Sequence, residues 1–407
     1  MKHLETQWSR LDAPRRAAVL SVAETLKAAG YRAWLVGGAV RDLWLGQPVG
    51  DLDMVSSALP DEVVRLFPGS REVGRSFGIV QVLGAGQWIE LATFRLERGY
   101  SDGRRPDEIQ YTDSLELDAG RRDFTCNALY WDPIECGLED PKGGLKDLER
   151  GELACVGDAS GRFEEDGLRL LRMARFLARL GLQPAPGLFA AAASSRASLR
   201  GVSGERILEE LRRMALGPRP GIAMQALASS KLLGLAMSAG ESESLDQEEQ
   251  RLQTWRYASQ AGEIEATFGG DRLGLWLAIL MDPCPGKALS AKQIKVGTKQ
   301  AFKSLRISTA LAHVLSELWR LRSFLISSPG QDSQTIRALR QPQGPLAWSL
   351  AQAWNRTFGE EVEALDRIWN WFTTLPSARV KPDFLPSGAC LIENGILPGP
   401  VLGKLLR

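Results

Sequence analysis

The sequence predicts an α+β protein: a head built on a small mixed sheet, followed by a neck, body and tail that are all helical. Short apolar runs punctuated by glycine, the pattern of buried strands, fall within residues 31–155. Beyond about residue 160 the strand pattern stops, and apolar residues recur at helical spacing instead. Length agrees, since 407 residues exceed one ordinary compact core and call for two to four domains.

In chain order, residues 1–30 read as a helix with Ala17, Val19, Leu20, Val22, Ala23 and Leu26 on a repeating face. Ala33–Val36 is a short strand ended by Gly37-Gly38, and Val40–Leu45 suits a short helix after that turn. Leu52–Val55 is a second strand. Ile79–Leu83 and Trp88–Phe94 read as a hairpin across Gly84-Ala85-Gly86. Helices are then expected over Phe163–Leu180, Gly204–Ala215, Gly221–Leu235, Leu245–Ala261, Asp271–Leu280, Ala301–Ser327 and Pro345–Thr374. The expected organisation is an N-terminal helix (1–30), a head (31–155), a neck (156–216), a body (217–285) and a tail (286–407).

Composition narrows the chemistry. Hydrophobic content of 44% and charged content of 24% are those of a soluble globular chain. No apolar run approaches the roughly 20 residues of a membrane span, and the polar start is not a signal peptide. Both imply a cytoplasmic protein. The five cysteines are scattered without paired spacing, which argues for free thiols. His3 and His313 are the only histidines, so a catalytic metal falls to carboxylates, which points to magnesium. The net charge of +1 hides local bias: Gly161–Arg213 holds ten arginines against six acidic residues. Lys287, Lys292, Lys295, Lys299, Lys303 and Arg306 form a second basic run. A nucleic-acid partner needs such local surfaces rather than a high overall charge, although solvated helical faces have the same composition.

Gly50-Asp51-Leu52-Asp53 is the chemical centre of the sequence. Residues i and i+2 of a strand share a face, so Asp51 and Asp53 present two carboxylates together. Like charges so close call for a divalent cation between them, as two-metal phosphoryl transfer requires. D-x-D alone is a common pattern, and its surroundings give it weight. Upstream, Gly37-Gly38 lets backbone N–H groups approach phosphate oxygens, and Arg41 lies in the first turn after it, positioned for a triphosphate. Arg122 and Asp123 offer a cation and a carboxylate. On the helix over 163–180, Arg169, Arg172, Arg175 and Arg179 occupy one arc, with Asp166 about a turn before Arg169. A carboxylate and a guanidinium side by side present both acceptor and donors to a base edge; an i,i+3 salt bridge is the plainer alternative. Glu90, on the hairpin strand, is either a third carboxylate of the centre or an ion-pair partner.

Leu35-Val36-Gly37-Gly38-Ala39-Val40-Arg41-Asp42 followed by Gly50-Asp51-Leu52-Asp53 resembles the signature of the DNA polymerase β-like nucleotidyltransferases. More narrowly, the chain resembles the class II tRNA nucleotidyltransferases (CCA-adding enzymes) and bacterial poly(A) polymerases. Arg121-Arg122-Asp123-Phe124-Thr125-Cys126-Asn127-Ala128, the stretch Asp140–Leu148, Glu165-Asp166-Gly167-Leu168-Arg169 and the segment Gly204–Leu211 follow in the family's order. The resemblance covers about residues 31–216 and rests on five ordered motifs. It implies template-independent addition of CMP and AMP, from CTP and ATP, to the 3′ end of tRNA, with Mg2+ held by Asp51 and Asp53. Gly37, Gly38, Arg41, Arg122, Asp123, Asn127, Arg172 and Arg175 would contact the nucleotide. Asp166 and Arg169 would select the base, Asp123 with Arg122 would read the ribose, and a loop containing Arg105 would switch the pocket from cytidine to adenosine. An A-adding enzyme and a poly(A) polymerase share these motifs. An RNA-binding protein on an inactive head is the reading from another class, and it has no need of paired carboxylates. Oligomeric state stays open between monomer and dimer.

Overall fold

A computed structural model describes residues 2–74, 78–99, 108–233, 235, 272–282, 287–327, 333–341, 343–358 and 363–375. Two compact units emerge, one of residues 1–252 with 299–308, the other of residues 253–298 and 309–407.

The first unit opens with helices α1 (Lys2–Arg10) and α2 (Ala13–Ala28) rather than one continuous helix. Asp12 ends the first, because its side chain caps the second by accepting from the Arg15 backbone N–H at 3.1 Å, and Pro14 favours a helix start. Then follow β1 (Ala33–Val36), α3 (Gly38–Trp44), β2 (Asp53–Ser56), α4 (Pro60–Leu66), β3 (Arg71–Gly74), β4 (Ile79–Gly84) and β5 (Gln87–Thr93). A separate ribbon of β6 (Arg95–Arg98) and β7 (Glu108–Tyr111) precedes α5 (Leu115–Gly120), β8 (Tyr130–Asp132) and β9 (Gly137–Glu139).

Seven strands form one sheet in the order β3-β4-β5-β2-β1-β8-β9. Only β2 and β5 run parallel, so the sheet is mixed as expected. Trp34 and Val36 of β1, Val55 of β2, Phe94, Ala128 and Tyr130 build the core under it, with the Trp34 and Phe94 rings 5.3 Å apart. Helix α2 buries Val19, Val22 and Leu26 against this sheet, the apolar face read from its periodicity.

After α6 (Gly144–Glu149) and β10 (Glu152–Leu153), the helix expected over 163–180 is two: α7 (Ala159–Glu165) and α8 (Leu168–Leu180). The break falls at Asp166-Gly167. Strands do not stop at residue 160, because β11 (Gln183–Pro184) pairs in parallel with β10. Helices α9 (Leu188–Ser194), α10 (Gly204–Ala215) and α11 (Pro220–Ser229) complete the described part of this unit's run, the last shorter than expected. The expected helix Leu245–Ala261 lies outside the described residues.

The second unit is helical where described. Where single helices are expected over Ala301–Ser327 and Pro345–Thr374, the chain forms Ala291–Leu305, whose residues from 299 on belong to the first unit, and Thr309–Ser327, and then Gly344–Phe358 and Glu363–Thr374. Trp319 is fully buried and donates its indole N–H to the Ala278 carbonyl at 2.9 Å. Arg322 and Asp282 form an ion pair with no exposed surface.

Candidate nucleotide site

Strand β2 begins at Asp53, one step later than expected, so Asp51 precedes the strand. The alternation survives the shift: Asp51 and Asp53 are exposed, while Leu52 and Met54 are buried. Both carboxylates line one pocket of about 290 Å³, together with Gly37, Gly38 and Arg122. Glu90 sits directly across the parallel β2–β5 pair from Asp53 and accepts from the Gln81 side chain at 3.3 Å. Lost solvation, then the charges of Glu90 and Asp51, push the Asp53 carboxyl up to about 6, with Arg122 opposing them. Carboxylates whose mutual repulsion outweighs the opposing arginine suit a hard cation, and the donors are all oxygens. Among the described residues, no three His, Cys, Asp or Glu side chains are grouped to enclose a metal ion. Two carboxylates completed by water and phosphate oxygens are the usual arrangement for magnesium.

The backbone just before Asp51 is clamped. Arg15 of α2 donates to the Val49 carbonyl at 2.9 Å and also to the Gly50 carbonyl. Sequence spacing gave no sign of this residue, because α2 is far from the motif along the chain.

Gly37 has φ of 68°, a conformation costly for other residues, and its N–H donates to the Leu129 carbonyl at 3.1 Å. The turn brings the chain from β1 into α3 along the pocket wall. Arg41, placed for a triphosphate by sequence, is only 1% exposed. Its guanidinium is engaged by Asp42 at 2.7 and 2.9 Å and by the Asn127 side chain, so it backs the wall instead of projecting from it. Asn127 in turn donates to Asp123 at 3.0 Å.

Arg122 stands where this pocket meets a second one of about 340 Å³. It donates to Tyr130 Oη at 2.9 Å and to Asp118 at 3.1 Å. Asp123 does not offer an open carboxylate. One oxygen accepts from Arg172 at 2.6 and 2.8 Å, and the other from the Phe124 N–H and Asn127. These donors hold its carboxyl at about 2 against the cost of burial.

The four arginines of α8 do share an arc, and each meets a carboxylate from a different element. Arg169 pairs with Glu165, Arg172 with Asp123, Arg175 with Glu210 of α10, and Arg179 with Asp42 of α3. Arg179 is therefore no solvated end-of-helix charge; it joins α8 to α3 at 2.8 Å.

Asp166 and Arg169 both line the second pocket but do not pair with each other as a helical i,i+3 couple. Asp166 lies outside α8, at the C-terminal end of α7, and its carboxylate accepts from the Leu168 N–H at 3.0 Å. Arg206 of α10 grips the Asp166 carboxylate at 2.9 and 3.4 Å. Arg169 donates instead to the Arg162 carbonyl at 3.0 Å and the Arg121 carbonyl at 3.1 Å. Arg206, Asp42 and Asp118 were missed as site residues. The first two lie inside the recognised motifs, and Asp118 lies three positions before Arg121, so nearness to a motif was the available signal. Arg105 lies outside the described residues.

Residues 33–154 match the family model for the poly(A) polymerase head domain. The CCA-adding enzyme of Lacticaseibacillus paracasei is 32% identical over 98% of this chain and 92% of its own length. That of Geobacillus kaustophilus is 33% identical over 86% of this chain and 95% of its own. Among solved structures, the Bacillus stearothermophilus CCA-adding enzyme in complex with CTP superposes with a TM-score of 0.67 at 28% identity, covering 97% of this chain and 91% of that one. The Thermotoga maritima CCA-adding enzyme complexed with tRNA, at 18% identity and a TM-score of 0.68, shares the fold. With paired carboxylates beside a glycine turn and near-complete coverage of its relatives, this chain belongs to the CCA-adding enzymes, a family of tRNA nucleotidyltransferases.

Proposed function

We propose that Asp51 and Asp53 carry the phosphoryl transfer by which this chain adds CMP and AMP, from CTP and ATP, to the 3′ end of tRNA without a template. The observation behind this reading is the juxtaposition of two pockets. One holds Asp51, Asp53 and the Gly37-Gly38 turn, the other holds Asp166 and Arg169, and Arg122, Asp123 and Arg172 border both. A triphosphate beside the carboxylates then leaves its base in the second pocket.

The tRNA 3′-hydroxyl attacks the α-phosphate in line. A bond forms from that oxygen to phosphorus as the hydroxyl loses its proton to solvent, and the bond from phosphorus to the bridging oxygen breaks to release pyrophosphate. Asp51 and Asp53, with Glu90 beside them, would hold Mg2+, which when bound would supply charge neutralisation at the reacting phosphate. The Gly37-Gly38 turn admits phosphate oxygens close to the backbone, and Arg122 contributes positive charge on the shared wall. Arg41 and Asn127 support that wall from behind, and Asp123 acts by holding Arg172 in place. Asp166 and Arg169, fixed by Arg206 and the Arg121 carbonyl, present acceptor and donors to the base edge. Arg175, tied to Glu210, orders the helix that carries them. The segmentation into head, neck, body and tail follows the same logic, with chemistry in the first and base selection in the second.

The test supplies purified protein with tRNAs ending before CCA, after C and after CC, with labelled CTP or ATP. Incorporation on all three substrates is expected, and Asp53→Ala should abolish it. Retained incorporation in that variant overturns the catalytic assignment. Incorporation of ATP alone, on the tRNA ending in CC, makes this an A-adding enzyme, and long adenosine tails make it a poly(A) polymerase.

A further inference from the structure

Successive residues of β4 and β5 point to opposite faces of the sheet. Val80, Val82, Ile89 and Leu91 are buried on one face. Gln81, Leu83, Trp88 and Glu90 point to the other, where Leu83 and Trp88 are 50% and 40% exposed. The registers place Asp53 opposite Glu90, Glu90 opposite Gln81, and Gln81 opposite Arg71, so the face that carries the carboxylates continues across four strands to β3. Trp88 lies two residues from Glu90 along β5, about 7 Å away, and is paired with Leu83. The Arg71 guanidinium sits over the Trp88 ring, 4.0 Å from its centre. Unlike the arginines of α8, Arg71 is neutralised by no carboxylate among the described residues. A large ring left in water beside an unpaired guanidinium serves no core, and it stands on the face where the chemistry is placed.

We propose that Trp88 and Arg71 form a stacking platform for the 3′-terminal base of the acceptor RNA. The inference rests on the reading that Asp51 and Asp53 carry the transfer, since the attacking 3′-hydroxyl must then lie beside them. The base attached to that ribose falls within one nucleotide of the carboxylates, which is the distance from Glu90 to Trp88. The pocket assigned to the incoming base is lined by no residue of β4 or β5, so the open sheet face is left to the acceptor. The chemistry of the platform also fits the task. The incoming base must be discriminated, whereas the acceptor ends in a different base before CCA and after C. Hydrogen bonds to a base edge would reject some of these ends, but an indole face accepts the π-face of any base. Arg71 holds the ring from one side and has donors left for the adjoining phosphodiester.

The experiment measures ATP incorporation into tRNA ending in CC, and into the same tRNA with its terminal base removed. Trp88→Ala should raise the KM for the intact tRNA about tenfold, with the KM for ATP at saturating tRNA within twofold of native. Trp88→Phe should restore most of the loss. Removing the terminal base should cost the native protein about tenfold in kcat/KM but the Trp88→Ala variant less than twofold, because the ring and the base are lost as one contact. Arg71→Gln should lower the slope of log affinity against log salt by about 0.7. An equal penalty for base removal in both proteins overturns the platform. So does an equal rise in the two KM values, or a change in oligomeric state by light scattering with the kinetics unmoved, which would make the patch a protein interface. Asp53→Ala is the control for the reading beneath the inference. Retained incorporation there removes the catalytic assignment and the platform with it, whereas abolished incorporation beside unaltered Trp88→Ala kinetics overturns the platform alone. If Trp88→Ala does not fold, Trp88→Leu, which keeps apolar bulk and removes the ring, decides the matter by the same measurements.

Discussion

Arg15 shows how far the support of a proposed catalytic residue can lie from its own motif. Asp51 is not in a strand, so its position depends on what holds Val49 and Gly50, and Arg15 holds both carbonyls from α2. Arg15→Met keeps most of the apolar stem and removes both donors. Its expected effect is a loss of about tenfold or more in kcat with the KM for CTP nearly unchanged, in steady-state incorporation assays. An equal rise in KM would place Arg15 in nucleotide binding instead. Asp118 and Asp123 make a different statement at the same scale. Both carboxyls are held near 2, below the ordinary 3.8, by arginines that outweigh the cost of burial. A depressed folded value means that the stabilisation is complete above about pH 4 and is lost as the pH falls toward 2. Roughly 2 kcal/mol per group is at stake. Urea unfolding at pH 6 and pH 3 should therefore show a large drop for the native protein. Asp123→Asn should be less stable at pH 6 and show a visibly smaller drop, and an undiminished drop would exclude Asp123 as a source.

At the scale of the element, the decisive feature is the break between α7 and α8. Helical periodicity runs through 163–180 without a flaw, and nothing local in Asp166-Gly167 forces a stop. The break is tertiary. A Cβ on Gly167 would lie 2.3 Å from the Ser198 carbonyl oxygen, so the chain passes against the short 3-10 helix Arg196–Gly201, where only glycine fits. This contact turns Asp166, which periodicity placed on the same helix about one turn before Arg169, out of the helix and into the grip of Arg206. Gly167→Ala forces backbone apart and should cost about 1–3 kcal/mol, read from the urea midpoint. It should also raise incorporation of UTP relative to CTP, and unchanged selectivity would mean that Asp166 does not depend on this turn. The same physics explains what was legible elsewhere. β1, β2, β4 and β5 are central or long strands with strong apolar signals, whereas β8, β9 and β3 are three or four residues long and take their identity from neighbours. The carboxylate pair was readable because alternation is local. The partners of Arg41, Arg169 and Asp123 were not, because each comes from a distant part of the chain.

At the scale of the whole molecule, charge is divided by task. The arginines lining the cleft are matched by carboxylates, which orders them for a small, highly charged substrate. The basic residues from Lys287 to Arg306 are organised differently, apart from Arg306, which lies 4.0 Å from the Glu205 carboxylate. All six are exposed, and that stretch contains no acidic residue. On the helix Ala291–Leu305, Lys292, Lys295, Lys299 and Lys303 fall on one face at successive turns. A row of unopposed lysines along a helix matches a phosphate backbone, whose binding is dominated by release of counterions. We propose that this face meets tRNA and not the nucleotide. Replacing Lys295 and Lys299 together by glutamate should weaken tRNA binding about tenfold or more at moderate salt and lower the slope of log affinity against log salt by about 2. Affinity is read by filter binding across a salt series, and the KM for CTP at saturating tRNA serves as the control. An unchanged salt slope would return these lysines to the role of a solvated face, whereas a raised KM for CTP would show that the two charge systems are not separate.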